Sequence, residues 1–145
     1  MSETRAAGLK ARRRAREFLL QALYQHQMTG HDAAELLRQF AERDNFANAD
    51  QLYFNELLAR VIEHSDGLNK RIGEFATRGE DQLDPVARAI LWISLLELAE
   101  RPDVPVRVVI NEAIEMSKRF GPTDSHKFVN ALLDRARHTV RPSAG

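Results

Sequence analysis

The stretch from Val86 to Ala99 constrains this chain more than any other. Its apolar residues Val86, Ile90, Leu91, Trp92, Ile93, Leu95, Leu96 and Leu98 cover nearly every side of a helix. A helix that is apolar all round must be packed by several others, so it belongs at the centre of a helical assembly. Asp84-Pro85 opens it, an N-cap followed by proline at the first helical position, where the missing N–H costs nothing. Arg101-Pro102 closes it. The run carries Arg88 and Glu97 and falls short of the roughly 20 apolar residues that span a bilayer. It therefore predicts a buried helix and not a membrane segment.

The rest of the chain supplies the surrounding helices, and no strand alternation is found. The periodicity predicts a first helix from near Ala6 to Lys10 as far as about Met28, stopped by Thr29-Gly30. A second runs over Asp32 to Arg43, with Asp32 as N-cap. A third, long helix begins near Asp50, carries Leu57, Leu58, Val61 and Ile62 inward, and continues towards Phe75. Residues 77–83 form a polar hinge, the candidate boundary between subdomains. After the central helix, Pro105 opens an amphipathic helix with Val106, Val109, Ile110, Ala113 and Ile114 inside. Gly121-Pro122 stops it, glycine being suited to a left-handed cap. Thr123 is expected to cap a last helix, on which Phe128, Val129, Leu132 and Leu133 recur. The fold class is all-α, a compact helical bundle.

Composition narrows the setting. At 145 residues the chain makes one domain or two small helical subdomains, and 43% hydrophobic residues are enough for a core. The absence of cysteine excludes disulfides, thiolate metal sites and cysteine nucleophiles, and suits a reducing cytoplasm. The N-terminus has charge but no apolar segment of the secretory type. A cytoplasmic location is the expectation.

The formal net charge of zero hides an asymmetry. Residues 1–16 hold Arg5, Lys10, Arg12, Arg13, Arg14 and Arg16 against Glu3 alone, a net +5, so the remainder carries −5. Such a basic arm suits a polyanion reached through one end. Charge alone suits a solvated tail equally well. On the first helix Ala15, Phe18, Leu19, Ala22 and His26 should face the core. The opposite side collects Arg13, Arg16, Glu17, Leu20, Gln21 and Tyr24. Arginines neutralise phosphates and an exposed tyrosine stacks on an unpaired base, which is the chemistry of single-stranded RNA binding. The competing arrangement packs Tyr24 and Leu20 against a neighbouring helix and leaves the arginines to solubility.

Catalysis finds no footing in the sequence. Asp124-Ser125-His126 contains the residue types of a hydrolytic triad, but neighbours on a helix point about 100° apart and cannot form the relay. They suit a helix start instead. The five histidines show no metal-ligand spacing, and the seven glycines form no phosphate loop. No catalytic residue, cofactor or metal is expected, and the chain reads as a non-enzyme.

Three segments, in order, carry a family resemblance. Arg12-Arg13-Arg14-Ala15-Arg16-Glu17 with Gln21-Ala22-Leu23-Tyr24 resembles the N-terminal signature of the NusB family. Arg101-Pro102-Asp103-Val104-Pro105, leading into Val109-Ile110-Asn111-Glu112-Ala113-Ile114-Glu115, resembles its second signature. The segment from Phe120 to Asn130 resembles its third, and Leu52-Tyr53-Phe54 fits between them. The resemblance implies a single NusB-like RNA-binding domain of two three-helix subdomains, about 6–77 and 84–139, with a basic arm over 1–16. It also implies a transcription antitermination factor. Such proteins pair with NusE, the tenth small-subunit ribosomal protein, and the pair binds boxA single-stranded RNA. An RNA polymerase antitermination complex then reads through terminators, chiefly on ribosomal RNA operons.

Carried over by position, the resemblance assigns RNA binding to Arg12, Arg13, Arg14, Arg16, Gln21 and Tyr24, and to Asp124, Ser125, His126, Lys127 and Phe128. Phe128 read without the resemblance is as well suited to the core. Asp81, Arg88 and Trp92, on the hinge and central helix, are assigned to NusE. The family often has a basic residue where Trp92 stands and a tyrosine where Leu96 stands, so that interface departs from the pattern. Two other readings stay open. One is the RNA-recognition part of an RNA methyltransferase, disfavoured because no Rossmann-type segment follows within Gly145. The other is a helical interaction module without RNA, and a homodimer of the free protein is compatible with either.

Overall fold

The computed structural model describes residues 2–76 and 83–142, with side chains from residue 7 onward. Among these residues the regular structure is seven α-helices and one 3-10 turn, with no strand. The chain divides into two compact units, residues 1–63 and 64–145.

The first unit holds α1 (Ser2–Thr29), α2 (Ala33–Ala41), the 3-10 turn (Phe46–Asn48) and α3 (Gln51–Glu63). Its helix ends follow the local chemistry of the sequence. Gly30 takes a left-handed φ of 77° and its N–H reaches the His26 carbonyl at 2.9 Å, ending α1. The Asp32 carboxylate accepts from the Glu35 N–H at 2.9 Å and caps α2. Asp50 does the same for Tyr53 at 3.1 Å, and its own N–H is bonded to the Ala11 carbonyl of α1 at 2.9 Å. Behind these caps lies an aromatic cluster. Phe18 meets Phe40 and Phe46 edge-on with centroids 6.2 and 5.4 Å apart, and Phe54 meets Phe46 at 5.0 Å. Each such pair is worth about 0.5–1.5 kcal/mol beyond its burial.

The second unit holds α4 (Ser65–Phe75), α5 (Pro85–Glu100), α6 (Val106–Phe120) and α7 (Ser125–Val140). Helix α5 packs against α4, α6 and α7, and every residue from Leu91 to Leu98 is buried, as its all-round apolarity predicts. Asp84 accepts from the N–H groups of Val86 and Ala87 and Pro85 stands at the first helical position, so this start was legible in the sequence.

The C-terminal end of α5 is closed by a residue far along the chain. The Arg141 guanidinium donates to the carbonyls of Glu97, Leu98, Arg101 and Val104 at 2.5–2.9 Å. These include carbonyls that a helix end leaves without an intrahelical partner. One cation thereby satisfies the end of α5 and the turn leading to α6.

Three expectations are corrected. The single helix expected from Asp50 towards Phe75 is two helices, interrupted at His64 (φ −107°, ψ 16°). His64-Ser65-Asp66-Gly67 are all weak helix formers, and the break falls where the chain passes from one unit to the next. Helix α4 therefore goes with the second compact unit, residues 64–145. Second, Gly121 is not left-handed: its φ is −88°. Its need for glycine is steric, because a Cβ there would lie 2.5 Å from Ser125 Oγ and 2.8 Å from the Ser117 carbonyl oxygen. Third, Asp124 (φ 65°), and not Thr123, is the residue preceding α7, and its side chain makes no capping bond.

A candidate nucleic-acid interface

Helix α1 presents a mixed polar stripe. Taken at 100° per residue, Lys10, Arg13, Glu17, Gln21, Tyr24 and Met28 fall within an arc of about 80°, with Arg14 beside it. Arg13, Arg14, Gln21 and Tyr24 are exposed, Tyr24 at 43%. A ring that open on a helix otherwise crossed by cations leaves its face to a planar partner.

Two residues expected on this stripe are elsewhere. Leu20 and Arg16 are each only 4% exposed. The covered arc of α1 runs through Ala15, Arg16, Leu19, Leu20, Ala22 and Leu23, wider than the projection assumed, so the boundary between buried and exposed falls between Leu20 and Tyr24. The arginines consequently divide into two pairs. Arg12 is held by Asp50, with N–O distances of 3.3 Å, and its guanidinium stands 3.9 Å from the centroid of the Tyr53 ring. The Arg16 guanidinium lies 5.7 Å from the same ring. Arg13 and Arg14 are exposed. The aromatic anchor on α3, Tyr53, is itself buried, and sequence reasoning gave it no role.

The second predicted segment, at the start of α7, is described within its own unit. Asp124 and Lys127 are exposed and paired, Oδ1 to Nζ at 3.6 Å. Asp124 thus faces Lys127, and a relay through Ser125 and His126 is not formed. His126 and Phe128 are half-buried, so Phe128 lies between its two expected settings. The Ser125 hydroxyl is buried without a hydrogen-bond partner, against the bare Cα of Gly121. Sequence reasoning passed over Phe120, which is 41% exposed with the Arg119 guanidinium 4.8 Å from its centroid. Its helical spacing within α6 gave no sign of that exposure.

Of the residues expected to meet a protein partner, Asp81 lies outside the described residues. Trp92 is buried, at 4% exposure, and its indole N–H donates to Asn69 Oδ1 at 2.9 Å. Arg88 donates to the same oxygen at 2.6 Å and is half-buried. Asn69 on α4 therefore ties together the two α5 residues. Among the described residues no group of three or more histidine, aspartate or glutamate side chains could hold a metal ion, and no helix is long and apolar enough to cross a membrane.

The chain is similar to known proteins over most of its length. A model of the NusB family matches residues 13–138. The chain is 47% identical over 132 residues to the transcription antitermination protein NusB of Enterobacter sp. (strain 638), covering 91% of this chain and 95% of that protein. It is 46% identical over 132 residues, with the same coverage, to the protein of that name from Klebsiella pneumoniae (strain 342). Among solved structures it is similar to T. maritima NusB, with a TM-score of 0.71 and 32% identity, covering 86% of this chain and 89% of that one.

Proposed function

This chain belongs to the NusB family, and from that premise we propose that it is a transcription antitermination factor, a non-catalytic adaptor that binds boxA single-stranded RNA together with NusE. The observation that carries the reading is the open stripe of α1, where Arg13, Arg14, Gln21 and Tyr24 stand exposed on one helix. Guanidinium groups meet the phosphates, Tyr24 stacks on an unpaired base, and the Gln21 amide meets base or sugar edges. Arg12 and Arg16 serve the same surface indirectly, by holding α1 through Tyr53 and Asp50. Asp124, Ser125, His126, Lys127 and Phe128 form a second RNA-facing segment, with Lys127 as its phosphate contact.

NusE docks on the face that carries Arg88, which shares the Asn69 oxygen with the Trp92 indole N–H, and Asp81 is nearby in sequence. The complex then travels with RNA polymerase and promotes read-through on ribosomal RNA operons. Affinity comes from two partners sharing one RNA, so neither needs to bind it tightly alone.

The test is binding of a boxA-like single-stranded RNA by this chain, with and without NusE, at two salt concentrations. Tighter binding with NusE, weakened by salt and lost on scrambling the RNA, is the expected result. Absence of specific RNA binding in every condition would return the chain to the class of helical protein-interaction modules.

A further inference from the structure

Beside the α1 stripe lies a small open pocket of about 190 Å³, lined by Arg14, Glu17, Phe18, Gln21, Asp44 and Asn45. Its far wall is the loop that follows α2. That loop is shaped by Asn45, whose φ of 67° is left-handed, a conformation that asparagine tolerates better than most residues. It is also pinned to α1. The Arg43 guanidinium lies 4.2 Å from the centroid of Phe40 and donates to Gln21 Oε1 at 2.9 Å. Arginine has only donors, so the atom it meets on Gln21 must be the oxygen, and the Gln21 amide is left with its N–H groups to offer.

The lining chemistry discriminates between parts of a nucleotide. A pocket for phosphate would be lined by donors and cations. This one sets two carboxylates, Glu17 and Asp44, beside two side-chain amides and a single guanidinium, with Phe18 in the lining. Carboxylates accept from exocyclic amines, as the N4 amine of cytosine requires, while amide N–H groups donate to the adjoining ring nitrogen. Uracil and guanine present a carbonyl and a ring N–H on those positions and meet the carboxylates wrongly. We infer that this pocket reads one unpaired, amino-bearing base, cytosine or adenine, of the RNA held on α1, with Asp44 accepting from its amine and Asn45 and Gln21 addressing its ring. The inference rests on the proposed RNA-binding reading of α1 and adds to it the residues that choose a base. Arg14 at the rim connects the two, because it lines the pocket and belongs to the exposed arginine pair.

The experiment uses the full chain and a set of short single-stranded RNAs of boxA type, in each of which one cytosine or adenine is exchanged for uracil or guanine. Wild-type protein is expected to lose affinity by about tenfold at one position of the set, the scale of one good base contact. Asp44→Asn replaces the acceptor with an amide of the same shape that suits a carbonyl, and should cut that preference to threefold or less. Asn45→Gly keeps the left-handed backbone while removing the amide, and should also reduce it. Tyr24→Ala should weaken all the RNAs alike and keep the preference. Unchanged preference in both Asp44→Asn and Asn45→Gly, with RNA still bound in a salt-dependent way, overturns the pocket and leaves the α1 reading standing. An effect of Asp44→Asn on NusE affinity with none on base preference makes the pocket a protein contact, and overturns the inference too. If wild-type protein binds no RNA specifically, both fall together.

Discussion

The guanidinium of Arg12 stands over the ring of Tyr53, 3.9 Å from its centroid, and so joins the basic helix to α3. The same guanidinium reaches Asp50, which caps α3 and whose N–H bonds back to α1. One of the arginines in a run of three is thereby a structural fastening, although nothing in the run itself distinguishes it from its neighbours.

That division predicts two different phenotypes within three consecutive residues. Arg12→Ala should lower stability by about 1 kcal/mol, the scale of a cation–π contact joined to a partly exposed ion pair. Its slope of log affinity against log salt should change little. Arg13→Ala and Arg14→Ala should leave stability within about 0.5 kcal/mol. Each should flatten the salt slope by about one unit. Denaturant melts and RNA titrations at several salt concentrations measure both quantities, and equal slopes for all three variants would contradict the division.

Tyr24→Ala removes an exposed ring and should hardly affect folding. Loss of one stacked base should cost about 1–3 kcal/mol of RNA affinity. Fluorescence anisotropy with a labelled boxA-type RNA reads this directly, and Tyr24→Phe should restore most of it because the ring, not the hydroxyl, does the stacking.

Gly121→Ala tests the steric reading of the turn between α6 and α7. The added methyl would collide with the backbone oxygen of Ser117 as well as the Ser125 hydroxyl, so a change of side-chain rotamer cannot relieve it. A destabilisation of about 1–3 kcal/mol is expected, the range of overpacked sites. Pairing it with Ser125→Ala should recover only part of the loss, because the clash with Ser117 persists. Full recovery would place the whole constraint on the serine.

Arg141→Ala removes the guanidinium from four carbonyls at the end of α5 and in the following turn. Those of Glu97 and Arg101 keep the backbone N–H groups of Arg101 and Val104, while those of Leu98 and Val104 lose the guanidinium bond. Removing a charged hydrogen-bond partner from such groups costs about 1–3 kcal/mol. Arg141→Lys should rescue little, since an ammonium cannot reproduce the planar fork that meets four carbonyls at once. Thermal unfolding followed by far-UV circular dichroism compares the two variants.

Much of this architecture is legible in the sequence where local chemistry decides it. The Asp32 and Asp84 caps, the Gly30 stop and the buried α5 follow from residues that are adjacent or a turn apart. What escapes is decided by contacts across sequence. The break at His64 interrupts an apolar pattern that reads as continuous, and the burial of Arg16 and Leu20 depends on how much of α1 is covered. Arg141 reaches back across 37–44 residues, a distance on which periodicity is silent. The candidate site follows the same rule. The exposed Arg13, Arg14, Gln21 and Tyr24 are visible on a helical projection, whereas the Asp44-Asn45 wall becomes visible only once the loop is folded against α1.

The Arg141 clamp also sets an order in time. A ribosome adds about 5–20 residues per second, so the carbonyls at the end of α5 are made on the order of seconds before their donor exists. Residues 1–63, a compact unit of their own, are all synthesised before that donor. During nascent-chain growth the basic helix α1 is therefore made early, and the end of α5 is closed only when Arg141 emerges.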